Sequence, residues 1–344
     1  MCTWNEWDPL EEVLVGNVKN SVLPGIEDKG VRSINYVGEE NPPPFGFYPH
    51  RIIEETEEDL EYLVQFLESE NIRVFRPEVF DFSQQVKTPY WNSSGYYAYC
   101  PRDSVLTYGD NIVETPMPLR PRYFETLTMR KLLNEKILEG YKVFSAPKPL
   151  LKDNCYRENI DKNMLSLTEE EPLFDAANCL KCGRDIFYLV SNTGNEFGAQ
   201  WLESVLPSDT RIHKIKNVYS YIHIDSTISL LKPGLALYNP KRVTKDKIPE
   251  ILRKWDYIMA PEPVDIGHYP GICHSSPWVN VNLLMVRPDL AVVDANQTQL
   301  IKELERWSIM VKPLTLRHAR TLGGGFHCVT LDLKRAGSKE DYFF

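Results

Sequence analysis

The sequence predicts a mixed α/β protein whose strands do not form one simple parallel sheet. Short apolar strands alternate with helices, and several segments follow the order strand, hairpin and helix. No glycine-rich nucleotide fingerprint follows these strands, so nucleotide binding has no support. The turn-rich segments between elements are short, and their amino-acid composition is not biased enough for interdomain linkers. This predicts one continuous domain over residues 1–344.

The spacing of apolar residues predicts the individual elements. Leu60, Leu63, Val64 and Leu67 recur at helical spacing, and the acidic run 54–59 precedes them at the end of a helix where negative charge is favourable. Similar patterning predicts helices over 51–69, 122–136, 196–205, 247–254 and 297–306. Apolar or alternating runs predict strands over 13–15, 72–75, 105–108, 112–114, 185–190, 212–215, 222–231, 235–238, 257–260, 281–286, 291–294, 309–311 and 329–333.

The charge and hydropathy of the chain exclude several classes of partner. With 39 basic and 48 acidic residues the net charge is −9, which argues against a nucleic acid or an anionic membrane as the main partner. A cationic small molecule is weakly favoured. The N-terminal segment has no signal-peptide pattern, and no 18 apolar residues follow one another, so we expect a cytoplasmic protein.

Seven cysteines, an odd number scattered through the chain, predict reduced thiols rather than a disulfide framework. Cys179 and Cys182 have the CxxC spacing of zinc and dithiol sites. A structural zinc would need a second pair of ligands, and none follows nearby. We therefore interpret them as two small, half-buried residues on one turn.

Candidate chemical groups occur where the predicted strands begin or end. The segment LGGGFHCVTLDL (322–333) has three glycines, which allow unusual backbone angles, shortly before Cys328. His223 and Asp225 are two residues apart, so on a strand they would share a face. Asp103 and Asp175 lie at two further strand edges. For Cys328 alone, packing as a small apolar residue is an alternative. For His223 alone, the alternative is a strand histidine whose hydrogen bonds are satisfied by Asp225 or the backbone.

Together these side chains suit a guanidinium substrate. Carboxylates pair with a planar guanidinium, a thiolate can attack its central carbon, and a histidine can move protons. A free thiol titrates near pH ~8.5 and needs activation, and the bound guanidinium can itself supply the positive charge.

Several motifs carry a family resemblance. The segments are PRD (101–103), APKP (146–149), FDAA followed by GRDIF (174–187), HID (223–225), NP followed by Arg242 (239–242), SS followed by W (275–278) and LGGGFHC (322–328). In this order and spacing the sequence resembles the amidinotransferases, which include glycine amidinotransferases and bacterial relatives. NEWDPLEEVLVG and LDLKRAGSKEDYF extend the resemblance to almost the whole chain.

The resemblance implies a five-bladed α/β-propeller of the pentein type. In this architecture pseudo-five-fold ββαβ modules surround a central site, and no metal or organic cofactor is expected. Relatives are often dimers, so a homodimer is an expectation of the resemblance.

The resemblance also implies a role for each matching residue. Cys328 would attack the guanidinium carbon of L-arginine and release ornithine, and an acceptor amine would then take the amidino group. His223 would move protons, with Asp175 orienting it. The donor would be held by the matching residues Asp103, Asp225, Arg242, Ser275 and Ser276. If the GFHC segment is extended, His327 points away from the reacting groups.

Three departures from the family pattern bear on the acceptor. This chain has IHID where glycine-using relatives often have MHID, SSPW in place of SSKW, and FDAAN in place of FDAAD. The changes at Ile222, Pro277 and Asn178 argue against glycine and name no substitute. Bacterial relatives commonly serve specialised metabolite pathways, which is the expectation here.

Two alternative functions stay open at this point. A hydrolase of the same superfamily, such as an arginine deiminase, would use water as acceptor and form citrulline with nearly the same residue types. A propeller that only binds arginine would need neither a nucleophilic thiol nor a proton shuttle.

Overall fold

The computed structural model describes residues 2–36, 45–157, 164–219 and 221–343. In chain order its strands are β1 (Leu10–Val15), β2 (Val22–Leu23), β3 (Gly46–Phe47), β4 (Arg73–Phe75), β5 (Val86–Lys87), β6 (Asn92–Ser93), β7 (Val105–Tyr108), β8 (Asn111–Glu114), β9 (Lys142–Ser145), β10 (Cys179–Cys182), β11 (Asp185–Leu189), β12 (Arg211–Ile215), β13 (Ile228–Lys232), β14 (Leu235–Tyr238), β15 (Asp256–Met259), β16 (Leu284–Arg287), β17 (Leu290–Asp294), β18 (Met310–Leu314) and β19 (Thr330–Arg335). The α-helices are α1 (Lys29–Ile34), α2 (His50–Ser69), α3 (Pro101–Ser104), α4 (Arg130–Leu138), α5 (Glu196–Val205), α6 (Thr298–Arg306) and α7 (Ala319–Leu322).

Across the described residues, fifteen of these strands form five three-stranded sheets that share one topology. In each sheet an antiparallel pair is followed by a helix or helical turns and then by a strand parallel to the middle one. This is the ββαβ order that the resemblance implies. The sheets, in order around the molecule, are β19-β1-β4, β7-β8-β9, β10-β11-β12, β13-β14-β15 and β16-β17-β18.

The five modules close into a ring, because buried apolar clusters join each module to the next. Members of these clusters include Leu14 with Ile112, Val113 with Ile186, Leu189 with Leu237 and Val293, and Val292 with Val13. Removal of this apolar surface from water stabilises the boundaries between modules. The first and last long strands, β1 and β19, pair antiparallel, so the two ends of the chain complete one module. The protein therefore has the predicted five-bladed α/β-propeller fold.

Three of the predicted helices are confirmed with nearly the predicted bounds: α2, α5 and α6. The start of α5 has a clear physical cause, because the side chain of Asn195 accepts a hydrogen bond from the N–H of Gly198 and caps the helix. None of the helices in the described part of the chain is long and apolar enough to cross a membrane.

One helix prediction is wrong in part, and a second is wrong because its residues form no α-helix. Residues 122–129 form short 3₁₀ turns, and the α-helix begins only at Arg130. Residues 247–254 contain the end of one 3₁₀ turn and all of the next, on either side of Pro249. Proline has no backbone N–H and disfavours the helical conformation in the residue before it, which explains the interruption.

The predicted strand over 222–231 is also wrong in its first half, since β13 begins at Ile228. The preceding residues form turns, in which the N–H groups of Thr227 and Ile228 both donate to the carbonyl of Ile224. The N–H of Ile224 in turn donates to the carbonyl of Ala177, in a different module. His223 and Asp225 therefore lie in a loop held by long-range contacts, and the argument from strand alternation does not apply.

Candidate active site

Cys328 lies in a turn between α7 and β19. Its backbone N–H donates to Asn282 Oδ1 at 3.1 Å, and the N–H of Val329 donates to the carbonyl of Gly325, which bends the segment. A Cβ placed on Gly324 would lie 2.6 Å from Cys100 Sγ and 3.1 Å from Cys328 Cβ. The absence of a side chain at Gly324 therefore leaves room for the two thiols.

The Cys328 thiol is buried beside acidic groups. It lies 3.5 Å from Asp225 Oδ2, to which it donates. The hydrogen bond with Cys100, burial and the charge of Asp225 raise the pKa of Cys328 well above its ordinary value. Without substrate, Cys328 is thus a neutral thiol at physiological pH, and a cation must arrive to convert it to the nucleophilic thiolate.

His223 is held by a carboxylate on one side. Its Nε2 lies 2.7 Å from Asp175 Oδ2, and its Nδ1 lies 3.9 Å from Asp103 Oδ1. Burial opposes the charged ring, but the charges of Asp103 and Asp175 outweigh burial and raise the pKa of His223 to about 9. The ring is therefore an imidazolium at neutral pH, with Nδ1 on the side away from its carboxylate partner.

Asp103 is fixed through only one of its oxygens. Arg122 Nη1 donates to Asp103 Oδ2 at 2.7 Å, and Glu125 Oε2 accepts from two other nitrogens of the same guanidinium. Within the described part of the chain, Asp103 Oδ1 and Asp175 Oδ1 are buried without a hydrogen-bond partner. Buried carboxylate oxygens normally have partners, so these two are available to a ligand that donates hydrogen bonds.

Asp225 is the end of a buried chain of ionisable groups. His327 Nδ1 lies 2.9 Å from Asp225 Oδ2, and His327 Nε2 lies 3.2 Å from Glu6 Oε2. Burial favours the neutral acid, but His327 and His223 outweigh it and hold the pKa of Asp225 well below its usual range. Asp225 therefore keeps its negative charge next to the Cys328 sulfur.

Arg242 lies over the ring of Tyr219, with 3.7 Å from its guanidinium carbon to the ring centroid. Its Nη1 donates to the carbonyl and hydroxyl of Ser226 and to Thr227 Oγ1. No ion pair with a carboxylate is found for Arg242 among the described residues. Arg242 is thus a half-buried cation that can still accept an anionic partner.

One cavity of about 180 Å³ brings most of these groups together. It is lined by Cys328, Asp225, His223, Arg242, Ser275 and Ser276, among other residues. A second cavity of about 50 Å³ adjoins it and is lined by Asp103, Asp175, Arg122 and again His223. Every predicted site residue therefore lines one of two neighbouring cavities.

Known proteins are similar to this chain in both sequence and fold. Inosamine-phosphate amidinotransferase 1 of Streptomyces glaucescens is 47% identical over 343 residues, which cover 99% of this chain and 98% of the relative. The chain belongs to the amidinotransferase family. No protein-family model matches it.

Two solved amidinotransferase structures are similar over almost their whole length. The inosamine-phosphate amidinotransferase from Streptomyces griseus superposes with a TM-score of 0.96 at 47% identity, covering 100% of this chain and 99% of that one. An amidinotransferase of the saxitoxin biosynthetic pathway of Microseira wollei gives 0.92 at 38% identity, with 99% of each chain covered. This amidinotransferase is accordingly an enzyme of the transferase class.

The two serines of this amidinotransferase lie at the rim of the larger cavity. Ser275 Oγ donates to the carbonyl of Ala319 at 3.4 Å, and Ser276 precedes the 3₁₀ helix Pro277–Val281. Both serines line the same cavity as Arg242. Their role in holding the donor stays a prediction.

Sequence reasoning missed several supporting residues of this amidinotransferase. Arg122, Glu125 and Asn282 hold the reacting groups from distant segments, and none of the quoted motifs contains them. Glu6 lies within NEWDPLEEVLVG, but that motif alone predicts no role for it. The GFHC segment is a turn and is not extended, so the reason given for the orientation of His327 is wrong. Its ring nevertheless lies behind Asp225.

Cys179 and Cys182 lie on β10 and are fully buried free thiols. The interpretation as two half-buried residues on one turn is therefore wrong. Burial raises the pKa of both thiols, which makes them unreactive. The described residues contain no group of three or more side chains arranged to hold a metal ion.

Proposed function

We propose that this amidinotransferase moves the amidino group of L-arginine to a primary amine through a covalent intermediate on Cys328. The supporting observation is the arrangement of the larger cavity. The Cys328 thiol lies beside Asp225 in this cavity, and the Arg242 cation lines the same cavity. Arginine has a guanidinium at one end and a carboxylate at the other. The cavity offers a matching partner for each charge.

Donor binding activates the thiol in this proposal. Asp103 Oδ1, which has no hydrogen-bond partner among the described residues, and Asp225 pair with the guanidinium nitrogens. The substrate cation then replaces the thiol proton as the partner of Asp225, and the displaced proton passes to solvent. Because the same cation also lies next to the sulfur, it lowers the pKa of Cys328, and the thiolate forms only when arginine is bound.

The first chemical step forms a bond between the Cys328 sulfur and the guanidinium carbon. The bond from that carbon to the side-chain nitrogen of arginine then breaks, and the His223 imidazolium donates its proton to the departing nitrogen. Ornithine leaves with the electron pair of the broken bond, now protonated. Asp175 keeps the ring of His223 oriented throughout, at 2.7 Å.

The second step reverses these roles. The neutral His223 takes a proton from the acceptor amine as its nitrogen attacks the amidino carbon, and the carbon–sulfur bond breaks with its electron pair on sulfur to regenerate the thiolate. When the cationic product leaves, the thiolate takes up a proton from solvent and becomes the neutral thiol again. Burial of the site limits access of water, which would otherwise act as acceptor and give citrulline.

The relatives favour a specialised-metabolite acceptor. The two Streptomyces relatives are named for an inosamine phosphate, and the third functions in a toxin pathway. The departures at Ile222 and Pro277 argue against glycine. We also propose one catalytic domain over 1–344, a cytoplasmic location and a homodimer, which cell fractionation and sedimentation would test.

The direct test is an isotope experiment with guanidino-labelled arginine and a panel of primary amines. We expect ornithine, together with label in a guanidino derivative of one of the amines. Formation of labelled citrulline at the same rate with and without amine would contradict the transferase and favour a hydrolase. Release of neither product, with arginine still bound, would favour a binding protein.

A further inference from the structure

His274 lies at the boundary between the two cavities. Both cavities are lined by His274, His223, Tyr221, Ile222 and Gly323. His223 has a role in the proposed reaction, whereas no step above uses His274. A polar side chain at this boundary contacts whichever part of a substrate extends from one cavity toward the other.

The position of His274 is closely restricted. Its ring lies 5.8 Å from the ring of Tyr36 and 6.0 Å from that of Tyr96, and its backbone N–H donates to the carbonyl of Arg320 at 2.9 Å. A Cβ on Gly323, which has φ +85°, would lie 3.0 Å from His274 Cβ. The missing side chain of Gly323 therefore leaves space for the Cβ and the backbone of His274.

His274 Nε2 has an unused hydrogen-bonding capacity. In the parts of the chain that the structure describes, this nitrogen is buried and has no hydrogen-bond partner. Burial also lowers the pKa of His274 to about 4, so the ring is neutral at physiological pH. A buried neutral imidazole pairs with an uncharged donor or acceptor, such as a hydroxyl group.

The cations of the two cavities serve other groups during the first half-reaction. Arg122 is bound by Asp103 and Glu125, and Arg242 is assigned to the donor carboxylate until ornithine leaves. After that, Arg242 can pair with an anionic group of the acceptor. The neutral His274 instead suits an uncharged hydroxyl group on the body of the acceptor.

We propose that His274 determines acceptor specificity by hydrogen bonding to a hydroxyl group of the acceptor amine. This inference rests on the proposed transfer from Cys328. The acceptor nitrogen must take the position that the ornithine nitrogen leaves, so the rest of the acceptor lies in the larger cavity, which His274 lines. His274 then acts in the second half-reaction and not in the first.

The two half-reactions can be separated to test this. The enzyme is first incubated with arginine alone, and the amidino adduct on Cys328 is measured by peptide mass. Two amines are then added separately: an inosamine, which carries hydroxyls on its other ring carbons, and cyclohexylamine, the same ring without them. We expect the wild type to transfer to the inosamine in clear preference.

His274→Leu removes the hydrogen bond and keeps a side chain of similar size. We expect unchanged adduct formation, a rise of roughly threefold to tenfold in the KM for the inosamine, and no change with cyclohexylamine. His274→Gln, which can place an amide group near the position of Nε2, should recover part of the loss. If His274→Leu forms no adduct, His274→Met replaces it as the test variant.

Three results would overturn the proposal. In the first, the wild type uses the two amines equally or transfers the amidino group to neither. In the second, His274→Leu loses transfer activity equally with both amines. In the third, neither His274→Leu nor His274→Met forms the adduct on Cys328. Failure of the proposed function is a separate result, because the wild type would then form no adduct on Cys328 with arginine alone.

Discussion

His223 directs Nε2 to Asp175 Oδ2 at 2.7 Å, which leaves Nδ1 as the ring nitrogen that can exchange a proton with substrate. The pair does two things at once. It fixes the orientation of the ring, and it contributes to the raised pKa of about 9 that keeps the ring protonated. The departure of ornithine requires His223 to be protonated.

The first prediction concerns the pH dependence of adduct formation. Since the first step needs the imidazolium, its rate should fall as the pH rises through the pKa of His223, about 9. Asp175→Asn removes one charge that raises this pKa, so the fall should occur at lower pH in the variant. Asp110→Asn, at an exposed ion pair with Lys142, is the control and should keep the wild-type profile. If the rate of adduct formation in Asp175→Asn falls at the same pH as in the wild type, groups other than Asp175 raise the pKa of His223.

The second prediction concerns recognition of the donor carboxylate. Agmatine is arginine without that group, so Arg242→Gln should weaken kcat/KM for arginine by about 10- to 100-fold and leave the rate with agmatine almost unchanged. The exposed neighbour Lys241, paired with Glu262, supplies the control Lys241→Gln. Equal losses with both donors would show that Arg242 maintains the cavity and does not bind the carboxylate.

The third prediction concerns the thiol pair. The hydrogen bond with Cys100 is the largest cause of the raised pKa of Cys328. Cys100→Ala should therefore lower that pKa, and iodoacetamide should alkylate Cys328 faster at a given pH below it. Cys155→Ala, which removes a buried thiol in a different apolar cluster, should not change the alkylation rate. A slower or unchanged rate in Cys100→Ala would mean that Cys100 does not control the thiol.

The fourth prediction concerns the strand that follows the nucleophile. Asp332 on β19 is fully buried and accepts from Arg102 Nη2 at 2.5 Å and from Arg335 Nε at 2.7 Å. Asp332→Asn would remove the carboxylate that the two guanidinium groups share, and would leave Arg102 with Glu6, at 3.5 Å, as its remaining charge partner. The free energy of unfolding should therefore fall by about 3–5 kcal/mol. Denaturant titration measures the loss. Asp289→Asn, at an exposed pair with Arg287, should cost less than about 1 kcal/mol.

The same residue predicts the pH dependence of that loss. Arg102, Arg335 and Lys181 outweigh burial and hold the pKa of Asp332 well below its usual value. A carboxylate with a lowered pKa stabilises the fold above its unfolded-state pKa, near 3.9, and loses this contribution as the pH falls through the folded-state value. The difference in stability between wild type and Asp332→Asn should thus shrink at acidic pH. A difference that grows toward acidic pH would contradict the assignment.

Local signals predicted the parts of the fold that local interactions determine. The sequence predicts helix α5 with its observed bounds, and the structure shows a local cause, because the side chain of Asn195 caps its first turn. The loop with His223 and Asp225 was misread as a strand because its apolar alternation resembles one. Its turn depends on a hydrogen bond from Ile224 to Ala177, 47 residues away in sequence, which no local pattern reveals.

The same limit applies to the candidate site. The motifs that the sequence shares with the amidinotransferases identify the thiol, the histidine and the acidic residues that line the cavities. They did not identify Arg122, which holds Asp103, or His274, whose significance depends on an unsatisfied nitrogen between two cavities. Such residues become visible only when the ring brings distant modules together.

The central claim is that the Cys328 sulfur carries the amidino group between donor and acceptor. Incubation with arginine alone, an acid quench and peptide mass measurement test it most directly. The account predicts that the peptide containing Cys328 gains one amidino group in the wild type and not in Cys328→Ser, and that an added acceptor amine removes it. Product formation without any mass gain on that peptide, or equal activity of Cys328→Ser, would contradict the account.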